Sequence, residues 1–184
     1  TQCQSPSGCT LEVVDTALRW QSIPTQTAGT AFTTVLEAIR TDTDTGACAT
    51  ALTGVSEIDV SVECLDPGSC SSGGYPTYTA VTASFGGTGT ASLNTELEDV
   101  GQIRLYASAQ ANNGDTLAGV SNAFVVRPAS INVAVSGPGG YSAGIFAKTG
   151  EDFSVVLTAR SSSGQVTPNF GNETSPETLT LAPS

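Results

Sequence analysis

The sequence predicts an all-β protein, on three observations. Apolar and polar residues alternate over many short segments, most clearly from Glu57 to Glu63, where three apolar side chains fall on one face, as in a half-buried strand. Turn-forming sequences such as Gly86 to Gly89 and Ser161 to Gly164 separate these segments. The chain contains 20 Gly, 9 Pro and no Met, a composition that favours strands and turns over helices. Short strands with frequent turns are typical of a β-sandwich, and we expect the immunoglobulin-like kind.

Further strands are predicted by the same alternation. An Asp-x-Gly turn at Asp99 to Gly101 precedes one of them, and such a turn commonly leads into a late strand of immunoglobulin-like domains. The segments are Thr77 to Phe85, Gln102 to Leu105, Ala123 to Val126, Ile131 to Val135 and Phe153 to Leu157.

The chain repeats itself once. Ala28 to Ala38 aligns without gaps with Thr149 to Ala159, and Phe, Val, Leu and Ala coincide. A predicted strand precedes each copy, Leu11 to Val14 in the first and Ile131 to Val135 in the second. The distance between the copies fits tandem sandwich domains of about 100 residues better than a solenoid with repeats of about 20 to 50. We therefore expect tandem immunoglobulin-like β-sandwiches.

The boundary between the two units is predicted at Arg127 and Pro128, because proline does not extend a central strand and often stiffens a linker. The first unit, residues 1–127, would be a disulfide-containing sandwich. The second, residues 128–184, is too short for seven strands. We expect it to be a partial unit of a longer chain, with an exposed strand edge that favours pairing with another chain.

The charge balance excludes some partners. Seventeen acidic and six basic residues give a net charge of −11, so no basic patch can form for nucleic acid or anionic lipid. No apolar stretch is long enough to predict membrane insertion of this segment. The partners we expect are neighbouring modules of the same polypeptide, other copies of the chain or surface glycans.

The residue inventory predicts no enzymatic activity. The chain has no His, so the usual general base and every His-dependent triad are absent. The acids Glu57, Asp59 and Glu63 are expected on solvent faces of strands, not across a cleft as a paired-carboxylate mechanism requires. Lys148 is the only lysine, so lysine chemistry, including an isopeptide staple, could involve this residue alone.

The five cysteines all lie in the first 70 residues, at Cys3, Cys9, Cys48, Cys64 and Cys70. Without His or a Cys-x-x-Cys spacing, zinc and haem sites are disfavoured, and disulfides in an oxidising compartment are the simplest interpretation. Cys64 and Cys70 enclose a Pro-Gly turn and are the first predicted bridge. Cys3 and Cys9 could close a second loop, and Cys48 could pair with a member of either set. One cysteine is left over, either as a free thiol or for a partner elsewhere.

Asp42 and Asp44 form the one weak candidate for a metal site. The run from Asp42 to Gly46 places two carboxylates on one side of a turn, where oxygen ligands could hold calcium. A third Asp and a bidentate Glu are absent, so a plain hairpin turn is the favoured interpretation. We therefore expect no cofactor, with calcium as the alternative.

Several motifs follow one another in a characteristic order: Ala38 to Cys48, Glu63 to Cys70, Asp99 to Ala107, Ser121 to Pro128 and Thr167 to Glu177. Together they resemble the MshQ-like family, an uncharacterised conserved region of a protein associated with biogenesis of the mannose-sensitive haemagglutinin (MSHA) type IV pilus. The resemblance implies a large, modular, exported bacterial protein linked to pili and surface attachment, with pilus components among its partners, and it implies no catalytic residues.

The functional hypothesis from the sequence is an extracellular structural or adhesive module at the bacterial cell surface. One alternative is a glycan-binding module, in which Trp20, Tyr75, Tyr78 or Tyr141 would stack on sugar rings. Aromatic residues make up only 6% of the chain, so these are more often core residues. A second alternative is a subunit of an extracellular filament, suggested by the partial second unit.

Overall fold

The computed structural model describes residues 16–42, 44–69, 78–111, 114–139, 145–176 and 178. Within these ranges every regular element is a strand, which confirms the all-β prediction. The strands are β1 (Thr16–Trp20), β2 (Gln26–Thr27), β3 (Phe32–Thr41), β4 (Cys48–Thr50), β5 (Gly54–Asp66), β6 (Tyr78–Phe85), β7 (Thr90–Thr95), β8 (Gly101–Gln110), β9 (Thr116–Val120), β10 (Phe124–Arg127), β11 (Ser130–Ser136) and β12 (Ser154–Arg160).

The first unit consists of two sheets. In one sheet, β3 pairs antiparallel with β1, β4 and β7. The other sheet has the order β2-β10-β8-β5-β6, and β9 also pairs with β8. Every pairing in this unit is antiparallel except that of β2 with β10, which is parallel. The first two strands of the described chain, β1 and β2, thus belong to different sheets.

The core lies between the two sheets. Along β8, buried and more exposed residues alternate without interruption, because successive side chains of a strand point to opposite faces. Ile103 and Leu105 of β8 and Ile58 of β5 meet Leu36 of β3 in one apolar cluster, and all four are fully buried. Burial of each of these side chains stabilises the fold by about 1.5 to 3 kcal/mol.

Asn122 holds the crossover of the chain between the sheets. It lies in the break between β9 and β10, and its side-chain amide donates to the Ile23 carbonyl at 2.9 Å. The Ile23 amide donates back to Asn122 Oδ1, also at 2.9 Å. Ile23 lies between β1 and β2, so one side chain satisfies the backbone at the point where the chain changes sheets.

Gly119 marks a close approach of the two sheets. A Cβ atom at this position of β9 would lie 1.8 Å from the carbonyl oxygen of Leu18 in β1. No side chain fits at that distance, so glycine allows the backbones of β1 and β9 to come into contact.

Among the described residues, the second unit forms a two-stranded antiparallel sheet whose two faces differ. One face carries only apolar side chains, and the other is mostly polar. The middle of the apolar face is exposed, with 51% of Val133, 49% of Val135 and 37% of Leu157 accessible to solvent, whereas Ala159 is buried. Its cross-strand pairs are Ile131 with Ala159, Val133 with Leu157 and Val135 with Val155.

The domain boundary predicted at Arg127 and Pro128 stays a prediction. In the structure Arg127 is the last residue of β10, which pairs within the first unit, and Ser130 begins β11 of the second unit. The strand predicted from Leu11 to Val14 lies outside the described residues. Across the described ranges, none of the elements is a helix with the length and hydropathy needed to cross a membrane.

Candidate functional site: the junction of the two units

The two units meet at a hydrogen-bonded contact that we call the junction. The first unit contributes the turn Thr27–Thr30, before β3, and the segment Leu97–Val100, before β8. The second unit contributes the turn Ser161–Gln165, after β12, and the segment Thr167–Gly171. The segments of the first unit lie next to strands of its two sheets, and the turn Ser161–Gln165 follows directly on β12. The sheets of both units therefore fix the positions of these segments.

Asp99 and Asn169 form the buried centre of the junction. Asp99 is fully buried, and 4% of Asn169 is accessible. Asp99 Oδ1 accepts the backbone N–H of Val100 at 2.8 Å and that of Asn169 at 3.2 Å. The side-chain amide of Asn169 donates to the Val100 carbonyl at 3.3 Å. A carboxylate of the first unit is therefore satisfied partly by the backbone of the second, as a buried polar group requires.

Ser162 and Ser163 extend the contact at the edge of the junction. The Ser162 amide donates to the Ala28 carbonyl at 2.8 Å, and its hydroxyl donates to the Gly29 carbonyl. The Ser163 hydroxyl donates to a carboxylate oxygen of Glu98 at 2.8 Å. A Cβ on Gly29 would lie 3.0 Å from the Ser162 backbone nitrogen, so the turn of the first unit also fits closely in shape.

Phe170 and Thr174 complete the junction on its other side. Phe170 is partly buried and packs against the apolar core cluster of the first unit. The backbone N–H of Thr174 donates to Asp66 Oδ1 at 2.8 Å, and its hydroxyl donates to the same oxygen at 3.1 Å. Apolar contact and hydrogen bonds thus connect the second unit to three separate segments of the first.

An open groove of about 740 Å³ runs along the junction. Val125, Arg127 and Ile131 line one part of it, and Phe170 and Glu173 line another. Because the groove borders both units, its shape depends on the orientation that the junction fixes.

The junction contains residues that sequence reasoning did not single out. The sequence predicts the Asp-x-Gly turn at Asp99 as an entry into a strand and as part of a motif of the resemblance, but not as a buried contact between the two units. Asp99 does cap this turn through the Val100 amide, but its burial and its bond to Asn169 depend on residues 70 positions apart. The available signal was weak: an Asp and an Asn that lie outside the alternating segments.

Comparison with protein families matches both units. Residues 1–120 match the family described as a domain of unknown function (DUF6701), first Ig-like domain, and residues 123–184 match DUF6701, second domain. The chain belongs to the DUF6701 family. No protein of curated function matches it. The Ig-like description of the first domain agrees with the fold predicted from the sequence.

The predicted disulfide of the DUF6701 chain is only partly within the described residues. Cys48 and Cys64 are both disulfide-bonded. Cys48 begins β4 and Cys64 lies in β5. Cys3, Cys9 and Cys70 lie outside the described residues, so the pairing of Cys64 with Cys70 stays a prediction.

Asp42 organises the turn that was considered for calcium. Its Oδ1 accepts the backbone N–H of Asp44 at 3.1 Å, and the N–H and hydroxyl of Thr45 at 2.9 and 2.8 Å. The hydroxyl of Thr45, followed by its amide, lowers the pKa of the Asp42 carboxyl from its ordinary value, because these bonds favour the charged form. Among the described residues no group of three or more acids or cysteines is placed to hold a metal ion.

The other predicted side chains lie on strands of the DUF6701 fold. Glu57 and Asp59 are exposed on β5, and Glu63 is half-buried there. The hydroxyl of Tyr106 donates to a Glu63 carboxylate oxygen at 2.9 Å, which raises the pKa of Tyr106. Trp20, a candidate for sugar stacking, is 8% exposed and belongs to the core.

The other candidates for sugar stacking are three tyrosines. Tyr75, Tyr141 and the side chain of Tyr78 lie outside the described part of the chain. The sugar-binding alternative therefore has no exposed aromatic residue among those proposed for it whose side chain the structure describes.

Proposed function

We propose that this DUF6701 chain is an extracellular structural or adhesive module of a large bacterial surface protein. The finer association, with biogenesis of an MSHA-type pilus or with cell attachment, comes from the sequence resemblance to the MshQ-like family. The observation that carries the structural role is the buried contact between Asp99 and Asn169, which joins the two units.

The junction supports this role because a spacer must keep the modules on either side of it at a fixed distance and orientation. Relative motion is the default for domains on one chain unless their interface is large and hydrophobic, so the restraint we propose rests on Phe170, which packs against the core of the first unit, together with hydrogen bonds. Here hydrogen bonds from Asn169, Ser162 and Thr174 reach three different segments of the first unit. We propose that these three separated attachment points restrict relative rotation, so that the two units move as one body.

Chemical features of the chain also support an exported, non-catalytic module. Disulfide-bonded Cys48 and Cys64 suit an oxidising compartment. The net charge of −11 and the absence of His favour a soluble scaffold over a catalyst or a nucleic-acid binder. We accordingly propose no enzymatic activity, no cofactor, and neighbouring modules or pilus components as partners.

Rigidity is tested by ¹⁵N relaxation on the intact chain. The proposed role predicts one rotational correlation time for amides of both units, and two different times for Asp99→Ala. Two independent correlation times in the unmodified chain would contradict the rigid-spacer argument.

Location and role are tested in the source cell. Antibodies against the chain should label intact cells, and deletion of the module should reduce attachment or piliation. A cytoplasmic signal, or normal attachment and piliation after deletion, would contradict the proposal. A glycan array with the intact chain tests the alternative: specific sugar binding would favour the glycan-binding module.

The oxidising environment is tested through the cysteines. Cys64→Ala should lower the melting temperature in oxidising buffer and have little effect in the presence of a reductant. Equal losses under both conditions would show that Cys64 acts by packing and not through its disulfide.

A further inference from the structure

The two disulfide-bonded cysteines, Cys48 and Cys64, lie at opposite ends of the sandwich formed by the first unit. Cys48 is exposed at the start of β4 and pairs with Thr41, the last residue of β3. The strand β1 begins at this end as well, because Thr16 pairs with Arg40. One end of the sandwich therefore holds both Cys48 and the place where the chain enters β1.

Cys64 lies at the other end. It pairs with Ile103 of β8, and Ile103 pairs with Phe124 of β10. The Phe124 ring packs edge-on against the ring of Phe32, the first residue of β3, with 6.2 Å between the ring centroids. Cys64 is therefore level with the start of the ten-residue strand β3, and Cys48 is level with its end.

This separation excludes a bond between Cys48 and Cys64. A strand rises about 3.3 Å per residue, so the two ends of β3 are about 30 Å apart. The Cα atoms of a disulfide lie within about 7 Å of each other. Each of the two is therefore bonded to another cysteine, and the chain offers Cys3, Cys9 and Cys70, which lie outside the described residues.

Cys70 is too far from Cys48 to be its partner. Asp66 ends β5 at the same end of the sandwich as Cys64. The chain from Asp66 to Cys70 advances by four residues, which span at most about 14 Å, and a disulfide adds about 7 Å between Cα atoms. Together these lengths fall short of the roughly 30 Å between the two ends. Cys70 does reach Cys64, in agreement with the bridge predicted around the Pro-Gly turn.

Cys3 and Cys9 precede β1, which begins at the Cys48 end of the sandwich. Cys9 lies seven residues before Thr16, a stretch that spans up to about 24 Å, and Cys3 reaches further. We propose that Cys48 is bonded to Cys3 or Cys9, and that this disulfide closes β1, β3 and β4 into one covalent loop. Its formation joins two thiols, and their two electrons and two protons pass to the disulfide of an oxidising dithiol protein, which is reduced to two thiols.

The loop has a mechanical consequence, which rests on the proposed role as a structural module. Within the described structure β3 is the sheet partner of β1, so tension applied through the preceding chain would peel β1 away and expose Leu18 and Trp20, which are buried in the core. With the disulfide in place, the tension passes directly to Cys48. The residues within the loop are then not extended by the load.

Disulfide mapping tests the bond directly. The intact chain is exported to an oxidising compartment, purified without reductant and digested beside acidic residues, which cuts between Cys48 and Cys64, for example at Glu57. The expected product is the peptide that holds Cys3 and Cys9 joined to the peptide that holds Cys48, and fragmentation of this product by mass spectrometry identifies the partner. Cys48 joined to a later cysteine, or recovered as a free thiol, would overturn the proposal.

Single-molecule pulling of the intact chain by its two ends tests the consequence. The loop closed at Cys48 holds about 40 to 45 residues, which extend to about 14 to 16 nm. Under oxidising conditions Cys48→Ala should therefore release about 14 to 16 nm more length on unfolding than the unmodified chain. Cys64→Ala is the matched control, because its six-residue loop to Cys70 adds about 2 nm.

Equal released lengths for Cys48→Ala and the unmodified chain would refute the mechanical loop. Both measurements use the purified chain and do not depend on where it lies in the cell. Failure here is therefore distinguishable from failure of the proposed extracellular role, which is tested on intact cells.

Discussion

Asp99→Ala is the most informative single change, because it removes the carboxylate at the centre of the junction. Two N–H groups lose their acceptor: Val100 at 2.8 Å and Asn169 at 3.2 Å. Asp99 is fully buried, so water does not replace the lost oxygen without rearrangement. Each buried donor left unsatisfied costs about 1 to 3 kcal/mol, and we expect the free energy of unfolding to fall by about 4 kcal/mol. For a chain of this length that corresponds to a melting temperature about 10 °C lower.

Urea denaturation at neutral pH, followed by far-UV circular dichroism, measures this loss. Asp99→Asn is the matched control: it keeps an oxygen acceptor but gives up the stronger charge-assisted bonds, and we expect a loss of only about 1 kcal/mol. Hydrogen exchange adds a local test, since the Asn169 amide should exchange faster in the Ala variant. If Asp99→Ala unfolds within about 0.5 kcal/mol of the unmodified chain, the typical range for neutral surface changes, the junction does not stabilise the protein as argued.

Two further predictions concern the first unit. Gly119→Ala should lower the free energy of unfolding by about 3 kcal/mol in urea titrations, because its Cβ would overlap the Leu18 carbonyl oxygen. Gly87→Ala, whose Cβ meets nothing within 4 Å, is the control. Equal effects of the two substitutions would contradict the close contact between the sheets. Thr45→Val should raise the pKa of Asp42 towards its ordinary value, since the Thr45 hydroxyl is the main cause of its lowering. A carboxyl whose pKa falls on folding stabilises the folded state at pH values above its ordinary pKa, and this stabilisation is lost as pH falls through the folded-state pKa. The variant should lose part of this pH dependence, because the amides of Asp44 and Thr45 still donate to Asp42. An unchanged carboxyl titration by ¹³C NMR would show that the assigned cause is wrong.

The strands were predictable because their signal is local. The alternation from Glu57 to Glu63 requires only that one face meets the core and the other meets water, and β5 shows this pattern of burial. The Gly-rich run from Gly86 to Gly89 similarly predicts a turn, and in the structure this turn connects β6 in one sheet to β7 in the other. Neither prediction needs knowledge of which strand lies opposite.

The candidate site was not predictable in the same way. Asp99 appeared in the sequence as a turn residue, and its turn is present. Its role at the junction depends on Asn169, which reaches it only after both units have folded and docked. The sequence likewise gives no signal at Gly119, because glycine is required there by the nearby backbone of β1 and not by its sequence neighbours.

The sequence by itself determined the all-β class, the immunoglobulin-like pattern and the internal repeat, because side-chain alternation and turn chemistry act over a few neighbouring residues. Only the tertiary structure decided which turns meet at the junction, which carboxylate is buried there and where the two sheets of the first unit come into contact. Those outcomes depend on contacts between residues far apart in the chain, whose geometry is fixed by the packing of whole sheets and not by any local preference.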